Sequence, residues 1–293
     1  MRARLVLKDV VLIDRELGGY PGYIASYGIK GDDGWIIIDP GPRRAVEEIL
    51  SVCPNIMAII VTHIHIDHAG GAATLQRLSP AAKIYVHPRG HKHLINPQRL
   101  WEASRKTLKD AAEYYMEPEP APAEMVEAVE EGSLKISNIS LEIVHTPGHA
   151  PHHMSIVWDD VMFPGDAAGM YLCGYQAPTT PPRYELKMAI ESIEKMMSYE
   201  PKRLLLPHFG LIENAADFLS SYIQLLEGIA HIINELIKEG AGFEEIYRAV
   251  RESSPMDKYI ECLEKRGPPY MQGSPYRSVF GIYDYLLRTR GSQ

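Results

Sequence analysis

The sequence predicts an α/β fold that is followed by a helical C-terminal region. Short apolar runs alternate with segments of helical spacing as far as residue 210, which is the pattern of strands and helices in one layered domain. Beyond that point apolar residues recur at helical spacing only. The chain has 293 residues, of which 45% are hydrophobic, so it can bury a sizeable core. We therefore predict an α/β domain over 1–210 and a helical region over 211–293.

The predicted strands are short apolar runs bounded by turn residues. Two of them lie within 22–39 and are joined by a turn at 31–34. The second of these, Trp35–Ile38, is apolar throughout, as expected for a strand that is buried on both faces. Further strands are predicted at 56–61, 83–87, 134–136, 141–145, 154–158, 161–163 and 203–206.

Helical spacing predicts helices between and after these strands. Residues 89–125 interrupt the alternation and are predicted to be a helical insertion over one edge of the site, with its helix within 97–115. The long helix that begins after residue 212 is expected to stop at Gly240, because glycine is a common residue just past a helix end. The other helices are predicted at 43–50, 69–78, 184–199, 243–252 and 276–290.

Composition excludes some classes of protein. The formal net charge is -8 and no Lys/Arg cluster is visible, so we expect neither nucleic-acid nor membrane binding. Cys53, Cys173 and Cys262 are far apart in the sequence, and we expect free thiols in a reducing compartment. Lys8 and Asp9 interrupt the N-terminal apolar run too early for a signal peptide, which predicts a cytoplasmic protein. The 22 prolines favour a thermophilic source.

The stretch VTHIHIDHAGG, residues 61–71, predicts a metal site. It follows an apolar strand, and His63 and His65 are two positions apart in extended chain, so their side chains can point the same way. Asp67 and His68 follow where the chain turns into a helix. The stretch can thus supply two neighbouring groups of ligands, each of which faces its own metal position. Imidazole and carboxylate groups suit Zn²⁺, Fe²⁺ or Mn²⁺.

Three more polar residues follow predicted strands and are flanked by Gly or Pro. His149 lies in HTPGHAPHH, Asp166 in FPGDAAG and His208 in LLLPHFG. Loops at strand ends are where an α/β scaffold presents reactive groups. We therefore expect these residues to meet the histidine-rich stretch.

The order of these motifs, His-x-His-x-Asp-His and then TPGH, GD and PHFG, resembles the metallo-β-lactamase superfamily of hydrolases. The IDPG sequence at 38–41 is also similar to a strand-end motif of that superfamily. The resemblance covers roughly residues 20–210, and the tail resembles in position the C-terminal helical domain of glyoxalase II. The insertion looks like an uncharacterised, prokaryotic glyoxalase-II-like branch. An αββα sandwich with two metals at one edge is implied.

The resemblance also implies a role for each candidate ligand. The first metal would be held by His63, His65 and His149, and the second by Asp67, His68 and His208, with Asp166 bridging both. We expect two divalent ions, with zinc ahead of iron or manganese. Metallo-β-lactamases proper usually lack the bridging aspartate, so Asp166 argues against antibiotic hydrolysis. Flavodiiron-type oxygen reductases carry Glu where His65 stands, which argues against that branch.

The implied function is hydrolysis of a small activated ester by a metal-bridging hydroxide. The candidate substrates are a thioester, a lactone or a phosphotriester, because no general acid is identified and these have good leaving groups. Asp67 is expected to ligate and to orient the attacking group. The alternative is a mononuclear non-haem iron enzyme resembling persulfide dioxygenases. Two other functions fit less well, since an RNase Z relative would carry a basic patch and a non-catalytic scaffold would have broken ligands.

Contacts to a small-molecule substrate are expected from residues near the predicted site. The Pro/Gly-rich stretch 266–278 is expected to fold over the site as part of the pocket wall. A homodimer through the insertion or the tail is a further expectation. The predicted substrate-binding residues are His152, Tyr171, Tyr175, Tyr270 and Tyr276.

Overall fold

The computed structural model describes residues 2–44, 46–253 and 255–290. The strands are β1 (Arg2–Leu7), β2 (Val10–Asp14), β3 (Ala25–Lys30), β4 (Trp35–Ile38), β5 (Ile56–Ile60), β6 (Lys83–Val86), β7 (Val126–Ala128), β8 (Gly132–Ile136), β9 (Ile139–His145), β10 (Met154–Trp158), β11 (Val161–Phe163), β12 (Met170–Leu172), β13 (Tyr175–Ala177), β14 (Arg203–Leu206) and β15 (Gly210–Ile212). The α-helices are α1 (Ile66–Ala69), α2 (Ala72–Leu78), α3 (Pro88–Ile95), α4 (Gln98–Leu108), α5 (Asp110–Tyr115), α6 (Leu186–Ser198), α7 (Ala215–Lys238), α8 (Phe243–Glu252), α9 (Met256–Arg266) and α10 (Ser274–Arg290).

Two sheets form the centre of the molecule. A seven-stranded sheet runs β1 to β7 in sequence order, antiparallel from β1 to β4 and parallel from β4 to β7. A six-stranded sheet has the order β15-β14-β11-β10-β9-β8, in which β11 and β14 alone are parallel neighbours. The uninterrupted apolar sequence of β4 is explained by its position, because both of its faces are covered.

Apolar side chains of the two sheets interdigitate to form the inner core. Ile36 and Ile38 of the first sheet share one buried cluster with Ile143, Ile156 and Phe163 of the second. The opposite face of the first sheet packs against α2 and the 3-10 helix Val46–Ser51. The opposite face of the second sheet packs against α6 and the C-terminal helices. These four layers confirm the predicted αββα sandwich with its helical extension.

The C-terminal helices share one core with the second sheet. Leu204 and Leu206 of β14 belong to the same buried cluster as Leu219 and Leu226 of α7. The helix α7 ends at Lys238, and Gly240 follows with a positive φ of 81°, as expected at a helix end. None of the helices in the described part of the chain is both long and apolar enough to span a bilayer.

A disulfide joins Cys173 to Cys262, so the expectation of free thiols was wrong for this pair. Cys173 lies in the turn between β12 and β13, and Cys262 lies on α9. The two residues are 89 positions apart, and their approach depends on α9 packing against the β12–β13 hairpin, which sequence spacing does not reveal. Cys53 is a free, buried cysteine, in line with the prediction for that residue.

Some elements differ from the sequence prediction. The segment expected to be helical at 43–50 is a 3-10 helix over Val46–Ser51, and Ala45 lies outside the described residues. The insertion holds three helices, α3, α4 and α5, where one helical stretch was predicted. Positive φ values at Lys109 and Met116 mark the breaks that bound α5. Several elements were not predicted at all, namely β1, β2, β7, β12, β13, β15 and α9.

Candidate metal centre

The structure brings the seven predicted ligand residues together at one edge of the two sheets. Four come from the end of β5 and from α1, which begins after His65. The other three come from the loop after β9, from the 3-10 helix Gly165–Ala168 after β11, and from the turn between β14 and β15. The seven residues are His63, His65, Asp67, His68, His149, Asp166 and His208.

Three imidazoles converge on one point. The distance from His63 Nε2 to His65 Nδ1 is 3.0 Å, and that from His149 Nε2 to His65 Nδ1 is 2.9 Å. All three ligand atoms lie within 4.8 Å of one another. His63 and His149 are buried and His65 is half-buried, so the site faces solvent through His65.

A second group of ligand atoms lies beside the first. Asp67, His68 and His208 also place their ligand atoms within 4.8 Å of one another. Asp67 Oδ2 lies 3.8 Å from His68 Nε2 and 3.5 Å from His208 Nε2. The carboxylate of Asp166 lies between the groups, with Oδ1 3.3 Å from His68 Nε2 and Oδ2 3.5 Å from His149 Nε2.

The outer ring nitrogens of the histidines are fixed by hydrogen bonds. His149 Nδ1 donates to the carbonyl oxygen of Thr179, and His208 Nδ1 donates to that of Tyr23, each over 2.7 Å. A carbonyl only accepts, so Nδ1 of these two rings carries a proton, and Nε2 is the atom left to bind a metal. This is the tautomer that binds a metal through Nε2.

Asp39 supports the cluster from behind, and sequence analysis did not assign it a role. Its carboxylate accepts hydrogen bonds from the backbone N–H and the hydroxyl of Thr62, each over 2.7 Å, and from His68 Nδ1 over 2.9 Å. Because the Thr62 hydroxyl donates to Asp39, it accepts from His63 Nδ1 at 3.0 Å. The IDPG motif includes this position, but only as part of the resemblance.

Burial and charge separate the histidines into two kinds. Burial lowers the pKa of His63 well below its ordinary value and that of His65 to about 3. Burial would also lower the pKa of His68, but Asp166, Asp67 and Asp39 together raise it well above its ordinary value. Burial would raise the pKa of Asp166, yet His68, His149 and His208 hold it well below its usual range. Asp166 is therefore ionised at neutral pH.

The donor set fits divalent cations. His68 Nε2 and Asp166 Oδ1 are buried side-chain atoms with no hydrogen-bond partner among the described residues. An unpaired buried polar atom is costly, and a cation held by imidazole and carboxylate groups would satisfy both atoms. The number of nitrogen and oxygen donors and their spacing suit two ions of the zinc, iron or manganese type.

A cavity of about 380 Å³ opens above the cluster. Its floor is formed by ligand residues, and one wall is formed by α4 of the insertion through Leu100, Ala103 and Leu108. The stretch 266–278 supplies part of the opposite wall, as expected for this segment. The residues that it contributes are Met271, Ser274, Arg277 and Ser278.

Only one of the five residues predicted to contact the substrate lines this cavity. His152 lines the cavity, whereas the tyrosines lie elsewhere. Tyr171 packs edge-on against Phe218, and the Tyr270 hydroxyl donates to the carbonyl oxygen of Leu17. The remaining two are Tyr175 on β13, whose hairpin contacts α7 and α9, and Tyr276, whose hydroxyl donates to Glu244 at the surface.

Sequence analysis did not single out several polar residues of the cavity wall, among them Tyr115 and Arg277. Tyr115 ends α5, and Arg277 is in the first turn of α10. Arg277 lies within the stretch 266–278 that was expected to form part of the wall, but no local pattern marks either residue as a contact. Both reach the cavity because the insertion and the last helix fold over the same edge.

Comparisons with known proteins relate the chain to one superfamily, which its sequence motifs also resemble. The model of the metallo-beta-lactamase superfamily matches residues 19–208. The "Metallo-beta-lactamase fold-containing protein ST1585" of Sulfurisphaera tokodaii is 30% identical over 246 residues, which are 80% of this chain and 93% of that protein. A hydroxyacylglutathione hydrolase of Xylella fastidiosa is 28% identical over 153 residues, 52% of this chain and 48% of that protein.

Solved structures share the architecture. The crystal structure of ST1585, an archaeal metallo-beta-lactamase superfamily protein from Sulfolobus tokodaii, has a TM-score of 0.67 at 29% identity and covers 75% of this chain and 87% of its own. The metallo-beta-lactamase family protein TTHA1429 from Thermus thermophilus has a TM-score of 0.69 at 17% identity, with 98% and 95% covered, and shows the fold alone. With the sandwich, the clustered ligand residues and a family model that spans 19–208 in agreement, the chain belongs to the metallo-beta-lactamase superfamily.

Proposed function

We propose that this chain is a dinuclear metal-dependent hydrolase of small activated esters. The observation that carries the proposal is the pair of ligand groups on the floor of one cavity, with Asp166 between them. His63, His65 and His149 would hold one ion, Asp67, His68 and His208 the other, and Asp166 would contact both. When bound, two such cations lower the pKa of a water and polarise the carbonyl or phosphoryl group of a substrate.

The chain's own residues would prepare the site for this chemistry. The outward hydrogen bonds of His149 and His208 orient their Nε2 atoms toward the site, and Asp39 holds His68 in place. Asp67 has 21% of its side chain exposed and lines the cavity, so its carboxylate can accept a hydrogen bond from a water and orient it. The wall formed by α4 combines apolar Leu100 and Leu108 with polar Ser104 and Thr107, so it can accommodate a substrate with both kinds of group.

The substrate class follows from the groups that could protonate a leaving group. Burial lowers the pKa of His152, the one histidine of the described lining that is not a candidate ligand, to about 3, so this ring is uncharged at neutral pH and is a poor general acid. The substrate must then have a leaving group that departs unaided, such as a thiolate, a lactone alkoxide or a phenolate. The similarity to a hydroxyacylglutathione hydrolase supports a thioester among these.

The test combines metal analysis with a substrate panel. The purified chain is expected to hold two metal ions and to hydrolyse at least one activated thioester, lactone or phosphotriester. Asp166→Asn and His208→Ala should lose both the second ion and the activity, because Asp166 would contact both ions and His208 would hold the second. His231→Ala, on the exposed face of α7, is the matched control and should keep both.

Two outcomes would contradict the proposal. A metal-loaded chain that hydrolyses no member of the panel would exclude esterolysis of this kind. A chain that holds a single tightly bound iron and consumes oxygen with a persulfide would be an oxygenase instead, and His208→Ala, which alters only the second ligand group, would then leave the metal count unchanged.

A further inference from the structure

Two arginines line the cavity, the exposed Arg183 and the half-buried Arg277, and the half-buried one forms no ion pair with the residues that the structure describes. Arg277 lies in the first turn of α10 and lines the cavity, where it is half-buried. Within the described ranges 2–44, 46–253 and 255–290, its guanidinium makes no hydrogen bond and no ion pair. A guanidinium offers five N–H donors, so this wall presents a cluster of unused donors to the cavity.

The guanidinium occupies a space that a glycine leaves open. A Cβ atom built on Gly273 would lie 2.6 Å from Arg277 Nη1, closer than two such atoms can approach. The side chain therefore lies directly over the Gly273 backbone. The guanidinium thus lies near the start of α10, and a side chain at position 273 would collide with it.

The electrostatic neighbours of Arg277 belong to the site. Burial lowers the pKa of Arg277, and Tyr115 and Asp67 raise it. Arginine remains charged at neutral pH even in such surroundings. The Tyr115 hydroxyl also lines the cavity and has no hydrogen bond to the residues that the structure describes.

The carboxylates of the cavity do not balance the charge of Arg277 once they bind metal ions. Among the described lining residues the carboxylates are Asp67 and Asp166, and both belong to the metal cluster. A carboxylate that binds a divalent cation no longer balances an arginine, because the cation outweighs its charge. The half-buried guanidinium would then need an external anion to offset its desolvation.

We propose that Arg277 binds an anionic group of the substrate, a carboxylate or a phosphate, and so selects anionic esters over neutral ones. The proposal rests on the proposed function and names the substrate class of the same cavity. A planar guanidinium fork matches both oxyanions. The substrate places its anion against Arg277 and Tyr115, its apolar part against Leu100 and Leu108 of α4, and its scissile bond above the ligand cluster.

The kinetic test uses two substrates with the same scissile bond. An acyl thioester of 3-mercaptopropionate carries a carboxylate, and the thioester of its methyl ester does not. Arg277→Gln should lower kcat/KM for the anionic thioester by roughly 10- to 100-fold, the usual effect of losing a charge-assisted hydrogen bond, and leave the neutral one within about twofold. Arg277→Lys should recover part of the loss, because it restores the charge without the fork. Arg248→Gln, on the exposed side of α8, is the matched control and should change neither rate.

A binding measurement separates this proposal from the proposed function. The probe is 3-(hexylthio)propanoate, which lacks the scissile bond, and its carboxamide is the neutral comparison. Calorimetry on the metal-loaded chain should show tighter binding of the carboxylate, and Arg277→Gln should remove that preference. If Arg277→Gln binds the carboxylate as tightly as the unmodified chain, the metals or another group hold the anion and the proposal fails. If the preference depends on Arg277 but no ester is hydrolysed, the anion site stands and the hydrolase assignment fails.

Discussion

His68 and Asp39 are joined by a hydrogen bond of 2.9 Å from Nδ1 to Oδ2, and this contact sets the orientation of the most charged part of the site. The same carboxylate accepts from Thr62, whose hydroxyl contacts His63. One aspartate outside the ligand set thus positions a candidate ligand of each metal. Residues of this kind contribute to metal affinity without touching the metal.

Asp39→Asn is expected to weaken metal binding by about 10- to 100-fold, because the amide cannot serve as an anionic acceptor for both His68 and Thr62. Competition with a chromophoric chelator measures the affinity. Asp32→Asn, on the exposed β3–β4 turn, is the control and should bind metal like the unmodified chain. An unchanged affinity in Asp39→Asn would show that the ring of His68 is held by packing alone.

The metal-free chain is expected to lose stability as the pH falls below about 6.5. The pKa of His65 is about 3 in the folded chain and ~6.5 when unfolded, so between these values only the unfolded chain takes up the proton. The free energy of unfolding then decreases with acidification. His63, His149 and His153 have lowered pKa values and act in the same direction.

His68 should act in the opposite direction, which makes a paired test. Its folded pKa is raised, so its contribution to stability is fully present below ~6.5 and is lost as the pH rises through the folded pKa. His65→Ala should therefore flatten the loss of stability between pH 7 and pH 5, and His68→Ala should steepen it. Urea denaturation of the chelator-treated variants at both pH values gives the two slopes. Equal slopes in both variants would contradict the assigned shifts.

Metal removal should lower the melting temperature. Ligands that bind only the folded chain stabilise it by about 4 kcal/mol at a free concentration 1,000 times the Kd. Thermal unfolding with and without a chelator measures the difference. In Asp166→Asn, which lacks the carboxylate between the two ligand groups, the chelator should have a smaller effect. The same shift in both proteins would place the stabilising metal elsewhere.

Reduction of the Cys173–Cys262 disulfide should destabilise the chain by about 2–4 kcal/mol, because the bond closes a long loop in the unfolded state. Urea denaturation with and without a reductant measures the change. A double Cys173→Ser, Cys262→Ser variant should be insensitive to the reductant. If the unmodified chain is equally insensitive, the two thiols are not joined in solution.

The sequence predicted those parts of the site that depend on local pattern. His63, His65, Asp67 and His68 follow a buried strand within one short motif, and the segments around the later ligands each follow an apolar strand, so the seven residues could be found without coordinates. The strands within 25–38 were also predicted, because two apolar runs that flank a turn are a local sequence pattern.

What escaped prediction depends on contacts between distant segments. Asp39 is a ligand support only because β4 ends beside the loop after β5. Arg277 and Tyr115 meet the site because α10 and α5 fold over one edge, and Cys173 meets Cys262 because α9 packs on a hairpin. The edge strand β1 has four exposed and two half-buried residues, so burial does not impose on it the longer apolar run that marks the inner strands.

The order of the site residues along the chain has a consequence for how the protein matures. Every candidate ligand precedes β15, whereas Arg277 and Ser278 come from the final helix. During synthesis all the candidate ligands therefore leave the ribosome before Arg277 does. If the ligand cluster folds first, cations can reach it before α10 docks and completes the cavity wall.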